Sequence, residues 1–73
     1  MLFLDVNAKG GRDAATPLHL AAQHNAFHAA EILLLHDAVI DAEDKNKSTP
    51  LHRSCQYNSV RMIEVSINAS IYS

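Results

Sequence analysis

At 73 residues the chain is at most one domain, and a chain of this size buries only about 60% of its unfolded surface, so its core is marginal. A net charge of −2 and a pI near 6.1, with Lys45 and Lys47 beside Glu43 and Asp44, leave no basic patch and argue against nucleic acid as a partner. No apolar run approaches the ~18 residues of a membrane span, and the single cysteine cannot form an internal disulfide, which fits a reducing compartment and an intracellular, cytoplasmic location, with a nuclear one left open.

In chain order, Met1-Leu2-Phe3-Leu4 lacks the length and the basic start of a secretory signal. Asp5-Val6-Asn7-Ala8 and Gly10-Gly11 follow as a turn-rich lead, and residues 1–15 read as a hairpin-type loop. Thr16 is a helix cap whose hydroxyl accepts from an unpaired first-turn amide. Pro17 suits the first helical position, where its fixed φ helps and its missing N–H costs nothing. Leu18 begins the apolar face, and His19 reaches the preceding turn or a neighbouring unit through a ring nitrogen. Small residues at Ala21 and Ala22 allow close helix approach, and Asn25 tolerates the left-handed conformation that ends helices. A second helix is expected from Phe27 to Leu35. It is apolar on nearly every side and so should pack on more than one neighbour. Residues 39–48 are polar and turn-rich, an exposed loop.

Thr49-Pro50-Leu51-His52 then repeats Thr16-Pro17-Leu18-His19 after 33 residues. Aligning 16–38 with 49–71 also pairs Gln23 with Gln56, Asn25 with Asn58 and Glu31 with Glu64, which makes seven identities in 23 positions. A fixed period in the range of 20–50 residues points to stacked repeats rather than one globular core. The predicted layout is a first helix pair at 16–38, a hairpin loop at 39–48, a second helix pair at 49–68 and a tail at 69–73. From Ile63 to Ile71 the apolar residues alternate (Ile63, Val65, Ile67, Ala69, Ile71), which is a strand period. The repeat register instead predicts a helix over 60–67, followed by irregular chain.

With Thr16-Pro17-Leu18-His19-Leu20-Ala21-Ala22, Glu31-Ile32-Leu33-Leu34, Asp5-Val6-Asn7-Ala8, Thr49-Pro50-Leu51-His52 and Ile63-Glu64-Val65, the chain resembles ankyrin repeats over roughly residues 5–68. The second copy matches best in its opening half. The resemblance implies an all-α solenoid fragment of two helix–turn–helix units joined by a long hairpin-type loop. Such units usually carry glycine at two helix ends and in the hairpin. The corresponding residues are Ala14, Asn25, Asp37, Lys47, Asn58 and Ser70, and each non-glycine residue held in a left-handed conformation costs about 1–2 kcal/mol, least for Asn. The first hairpin is also one residue longer: Ala8 to Ala42 is 34, against 33 between the threonines. Gly10-Gly11 is the place to absorb it.

The resemblance further implies a scaffold that binds another protein and carries no catalytic, cofactor or metal site. Hairpin tips and first helices would form the surface. Carried over by position, the candidates are Arg12, Asp13 and Ala15, then Lys45, Asn46 and Ser48, then Gln23, His24, Gln56 and Tyr57. Tyr57 stands out, because tyrosine offers large amphipathic contact area at low entropic cost. The alternative is a non-binding structural segment or the terminal part of a longer array. Two units where about three are needed would leave uncovered flanks open to self-association.

Other chemistry fares worse. His24 and His28 are four apart, as two zinc ligands on one helix would be, but Asn25 ends the helix between them and no further ligand completes a site. His52 and Cys55 are three apart, a candidate activated thiol. The simpler reading packs Cys55, in place of Ala22, against the next helix. Asn46-Lys47-Ser48 and Asn68-Ala69-Ser70 match a glycosylation acceptor by chance, without a secretory signal. Gly10-Gly11 lacks the Gly-x-x-x-x-Gly-Lys spacing of a phosphate loop. Asp13, Asp41, Glu43 and Asp44 read as a solvated hairpin face.

Overall fold

The computed structural model describes residues 6–72, so Met1 to Asp5, including the start of the leading hairpin, lie outside the described residues. Four helices are present: α1 (Pro17–Gln23), α2 (Phe27–Leu35), α3 (Pro50–Gln56) and α4 (Val60–Tyr72). Among the described residues there is no strand, only an isolated antiparallel bridge between Gly10 and Ala15. The architecture is all-α, two helix pairs stacked side by side.

Both first helices start by the same device. The Thr16 hydroxyl accepts from the His19 amide at 3.3 Å, and His19 Nδ1 accepts from the Thr16 amide at 3.2 Å. Thr49 and His52 repeat this at 3.3 and 3.1 Å. It is a capping box with histidine in the place usually held by Glu or Gln. The backbones coincide: φ/ψ are −86°/165° at Thr16 and −85°/167° at Thr49, and φ is +53° at Asn25 and +54° at Asn58.

The expected glycine positions behave as the repeat register requires, without glycine. Ala14, Asn25, Asp37, Lys47 and Asn58 all have positive φ, between 53° and 69°. The sixth, Ser70, lies inside α4. The helix therefore runs past the expected boundary at Asn68 and takes most of the expected 69–73 tail with it. Nothing in Val60–Tyr72 stops it: the stretch has no glycine or proline. The extra residue of the first hairpin sits between the paired Gly10 and Ala15, where Gly11 has φ +72°.

The core is small: Leu18, Ala21, Ala22, Ala30 and Met62 are buried, with Phe27, Leu33, Leu34 and Val65 packed around them. The three alanines bring α1 and α2 close together, and Met62 of α4 fills the space between units. Strand-like alternation does not govern α4. Its buried residues, Ser59 before the helix and then Met62 and Ser66, fall at helical spacing, while Ile67 is exposed. Of α2's apolar residues, Ile32 and Leu35 are exposed, so only part of that helix has found a neighbour.

Polar contacts fix how the units sit. His19, fully buried, donates from Nε2 to the Ser48 carbonyl at 2.6 Å, which sets its tautomer and leaves Nδ1 as the acceptor in the cap. Asn25 does two jobs: its backbone ends the first helix, and its Oδ1 accepts the Met62 amide in the first turn of α4 at 3.3 Å. Asn7 ties the two hairpins together, accepting from the Val39 amide at 2.7 Å and donating to the Asp37 carbonyl at 3.3 Å. The Lys45 amide donates to the Asp13 carbonyl at the hairpin tips.

Candidate functional site

The hairpin before each first helix and the exposed side of that helix meet in one polar hollow of about 420 Å³. Asp13 comes from the first hairpin, Gln23 from α1, Asn46 and Ser48 from the second hairpin, and Gln56 with Tyr57 from the end of α3. Helix capping aims these groups. Because α1 and α3 start identically, Gln23 and Gln56 occupy the same turn of their respective helices, one unit apart.

The floor is an ion pair. Arg53 donates from Nη2 and Nε to Asp44 Oδ2 at 2.9 and 3.2 Å, and from Nη1 to Gln23 Oε1 at 3.1 Å. Asp44 Oδ1 accepts the Asn46 and Ser48 amides at 2.8 and 2.9 Å. Burial pushes the Asp44 carboxyl up. The Ser48 amide, the Arg53 hydrogen bonds, the Asn46 amide and the Arg53 charge together outweigh it and hold the carboxyl below its ordinary value. Asp13 approaches the same guanidinium only at 3.7 Å, with 64% of its side chain exposed. The hollow thus presents amides, a phenol and one solvated carboxylate above a neutralised base.

Six of the ten residues proposed from sequence are brought together here: Asp13, Gln23, Asn46, Ser48, Gln56 and Tyr57. Four are not. Arg12 and Ala15 line a separate outer hollow, and Ala15 is itself buried, with its backbone bridged to Gly10. His24 lies on an apolar flank with Leu20, Ile32 and Leu33. Lys45 is exposed outside the hollow.

Two readings of side chains are corrected. Asp44 is not part of a solvated face: it is 8% exposed and clamped by Arg53, which is 6% exposed. A signal for this was present, since Arg53 stands where the first unit has Leu20, and a base at an apolar register position needs a partner. Cys55 does not pack as Ala22 does. Ala22 is fully buried by the second unit, whereas Cys55, its counterpart on the far side of that unit, is exposed. His24 and His28 lie on either side of the Asn25 turn. Among the described residues no group of three or more His, Cys, Asp or Glu is placed to hold a metal, and no helix is long and apolar enough to cross a membrane.

A family model described as "Ankyrin repeats (3 copies)" matches residues 2–70. The chain belongs to the ankyrin repeat family. No curated relative matches it. Ankyrin repeats are in general protein–protein interaction modules and non-catalytic scaffolds, and the left-handed turns, capped first helices and paired hairpins described above are the local means by which this ankyrin chain builds its stack.

Proposed function

We propose that the chain is a protein–protein interaction module that holds a partner protein over the polar hollow between its hairpins and first helices. The observation that carries this reading is convergence. Side chains from two hairpins and two helices, up to 44 residues apart in sequence between Asp13 and Tyr57, supply one continuous surface. Tyr57, at the rim and 54% exposed, is the anchor. Asp13, Gln23 and Asn46 provide the directional contacts, and Arg53, held by Asp44 within the second unit, donates to Gln23 of the first and so links the two units that the partner meets. The surface is hydrogen-bonding rather than apolar, so it suits a polar segment of the partner better than a hydrophobic helix.

The test places a photo-crosslinking residue at Tyr57 and, as control, at Leu35, which is 81% exposed and away from the hollow. A partner captured at Tyr57 and not at Leu35 is then purified and titrated. Tyr57→Ala is expected to weaken it about 30-fold, the ~2 kcal/mol of a binding hot spot, with the helical signal unchanged. Equal capture at both positions, or full affinity in Tyr57→Ala, would sink the proposal that the hollow is the binding surface, and no capture at either would favour the non-binding structural reading.

A further inference from the structure

The two units offer each other one flank and leave the matching flanks open. Leu20, Ala29 and Leu33 lie on the open side of the first unit, around a shallow apolar hollow of about 470 Å³. Their counterparts 33 residues on, Arg53, Met62 and Ser66, are 6%, 0% and 3% exposed, buried in the stacked arrangement. Conversely, Ala22 and Ala30 are both fully buried in the first unit, while their counterparts Cys55 and Ile63 are exposed and half-buried. Each open flank is therefore the register equivalent of one that is already closed inside the chain.

We infer that copies of this chain stack head to tail, the outer flank of α3 and α4 in one copy docking on the outer flank of α1 and α2 in the next. The contact continues an interface that the chain already contains. Volumes complement in swapped order: Ala30 of the first unit and Met62 of the second share the core within the chain, and between copies Ile63 would stand opposite Ala29 of the second copy, the large side chain moving to the opposite partner. The polar link also carries over. Buried His19 donates from Nε2 to the Ser48 carbonyl, which already accepts the Asp44 amide. His52 has the same ring position and the same cap, and its counterpart acceptor is the Ala15 carbonyl of the next copy, which accepts the Gly10 amide and has a second lone pair. The contact is heterologous and does not close on itself, so a series of oligomers results rather than a single dimer.

The experiment measures mass against concentration by sedimentation under reducing conditions, which removes disulfide pairing through Cys55. The wild-type chain is expected to grow past the dimer. Ile32→Glu blocks the first flank and Cys55→Glu the second. Both residues are exposed, and circular dichroism checks that each variant is helical. Each alone should weaken association at least about tenfold, since docking would bury an unpaired carboxylate. Mixed in equal amounts, they should form a one-to-one heterodimer, because each retains the flank that the other lacks. A wild-type chain that stays monomeric throughout would overturn the inference and leave the flanks to further repeats or another protein. So would variants that associate as the wild type does, or a mixture that yields no heterodimer. The outcome is independent of whether the polar hollow binds a partner.

Discussion

Replacing Ala14 and Lys47 by glycine should stabilise the chain, and replacing Ser70 by glycine should not. Ala14 and Lys47 hold φ of +53° and +63°, where a side chain costs about 1–2 kcal/mol through the clash of Cβ with the following carbonyl. Glycine removes that clash but adds backbone freedom to the unfolded chain, which offsets about 0.4–1 kcal/mol. The net gain is roughly 0.5–1 kcal/mol per site. Neither side chain makes a contact that the substitution must forfeit at comparable cost: Ala14 has only a methyl, and Lys47 is exposed. For a domain of this size 1 kcal/mol shifts the midpoint by about 4–8 °C, so Ala14→Gly with Lys47→Gly should raise it by several degrees. Ser70 is the register counterpart of Asp37, whose φ is +69°, but it lies within α4, where glycine is a poor helix former and costs up to about 1 kcal/mol. Thermal melts followed by circular dichroism at low protein concentration read all three. A lower midpoint for Ala14→Gly or Lys47→Gly would refute the strain argument. A rise for Ser70→Gly would mean that the helix ends where the register, not the structure, places its end.

Arg53→Leu restores the residue type of the first unit yet should destabilise by about 3–5 kcal/mol, because it leaves the Asp44 carboxylate buried without its partner; urea titration showing less than about 1 kcal/mol would contradict the buried-pair account. Because the folded Asp44 carboxyl lies below its ordinary 3.8, its contribution is fully present above the unfolded value and is lost as pH falls through the folded one. Asp44→Asn should accordingly be less stable than wild type near neutral pH and lose less stability below about pH 4, and parallel acid-denaturation curves for the two proteins would argue against this. His19→Ala should cost roughly 1–3 kcal/mol through lost buried hydrogen bonds, and His52→Ala nearer 1, since only its own cap is lost; equal midpoints would show that the Ser48 contact contributes nothing.

What could be read along the chain was whatever a few consecutive residues decide. Thr16-Pro17 and Thr49-Pro50 start helices wherever they stand, because the cap and the missing proline N–H act within one turn. The resemblance to ankyrin repeats located five left-handed positions although none carries glycine, because the turns at helix ends and in the hairpins need a positive φ whichever residue stands there. Six residues of the hollow were legible through the same resemblance, carried over by position, and identical helix starts put Gln23 and Gln56 at matching points of matching units. Burial was a different matter. Asp44 and Arg53 are inside, and Cys55 is outside, according to which flank of a unit has a neighbour, a question settled by contacts such as His19 to Ser48 and Asn25 to Met62, 29 and 37 residues apart. The end of α4 was likewise undecided by register. The repeat pattern asks for a break near Ser70, but a break needs a residue that prefers one or a following unit that enforces it, and no glycine or proline in α4 supplies the preference. Local sequence fixed where each unit begins and turns; stacking of the units decided which of its side chains are core, which are site and which remain open to a partner.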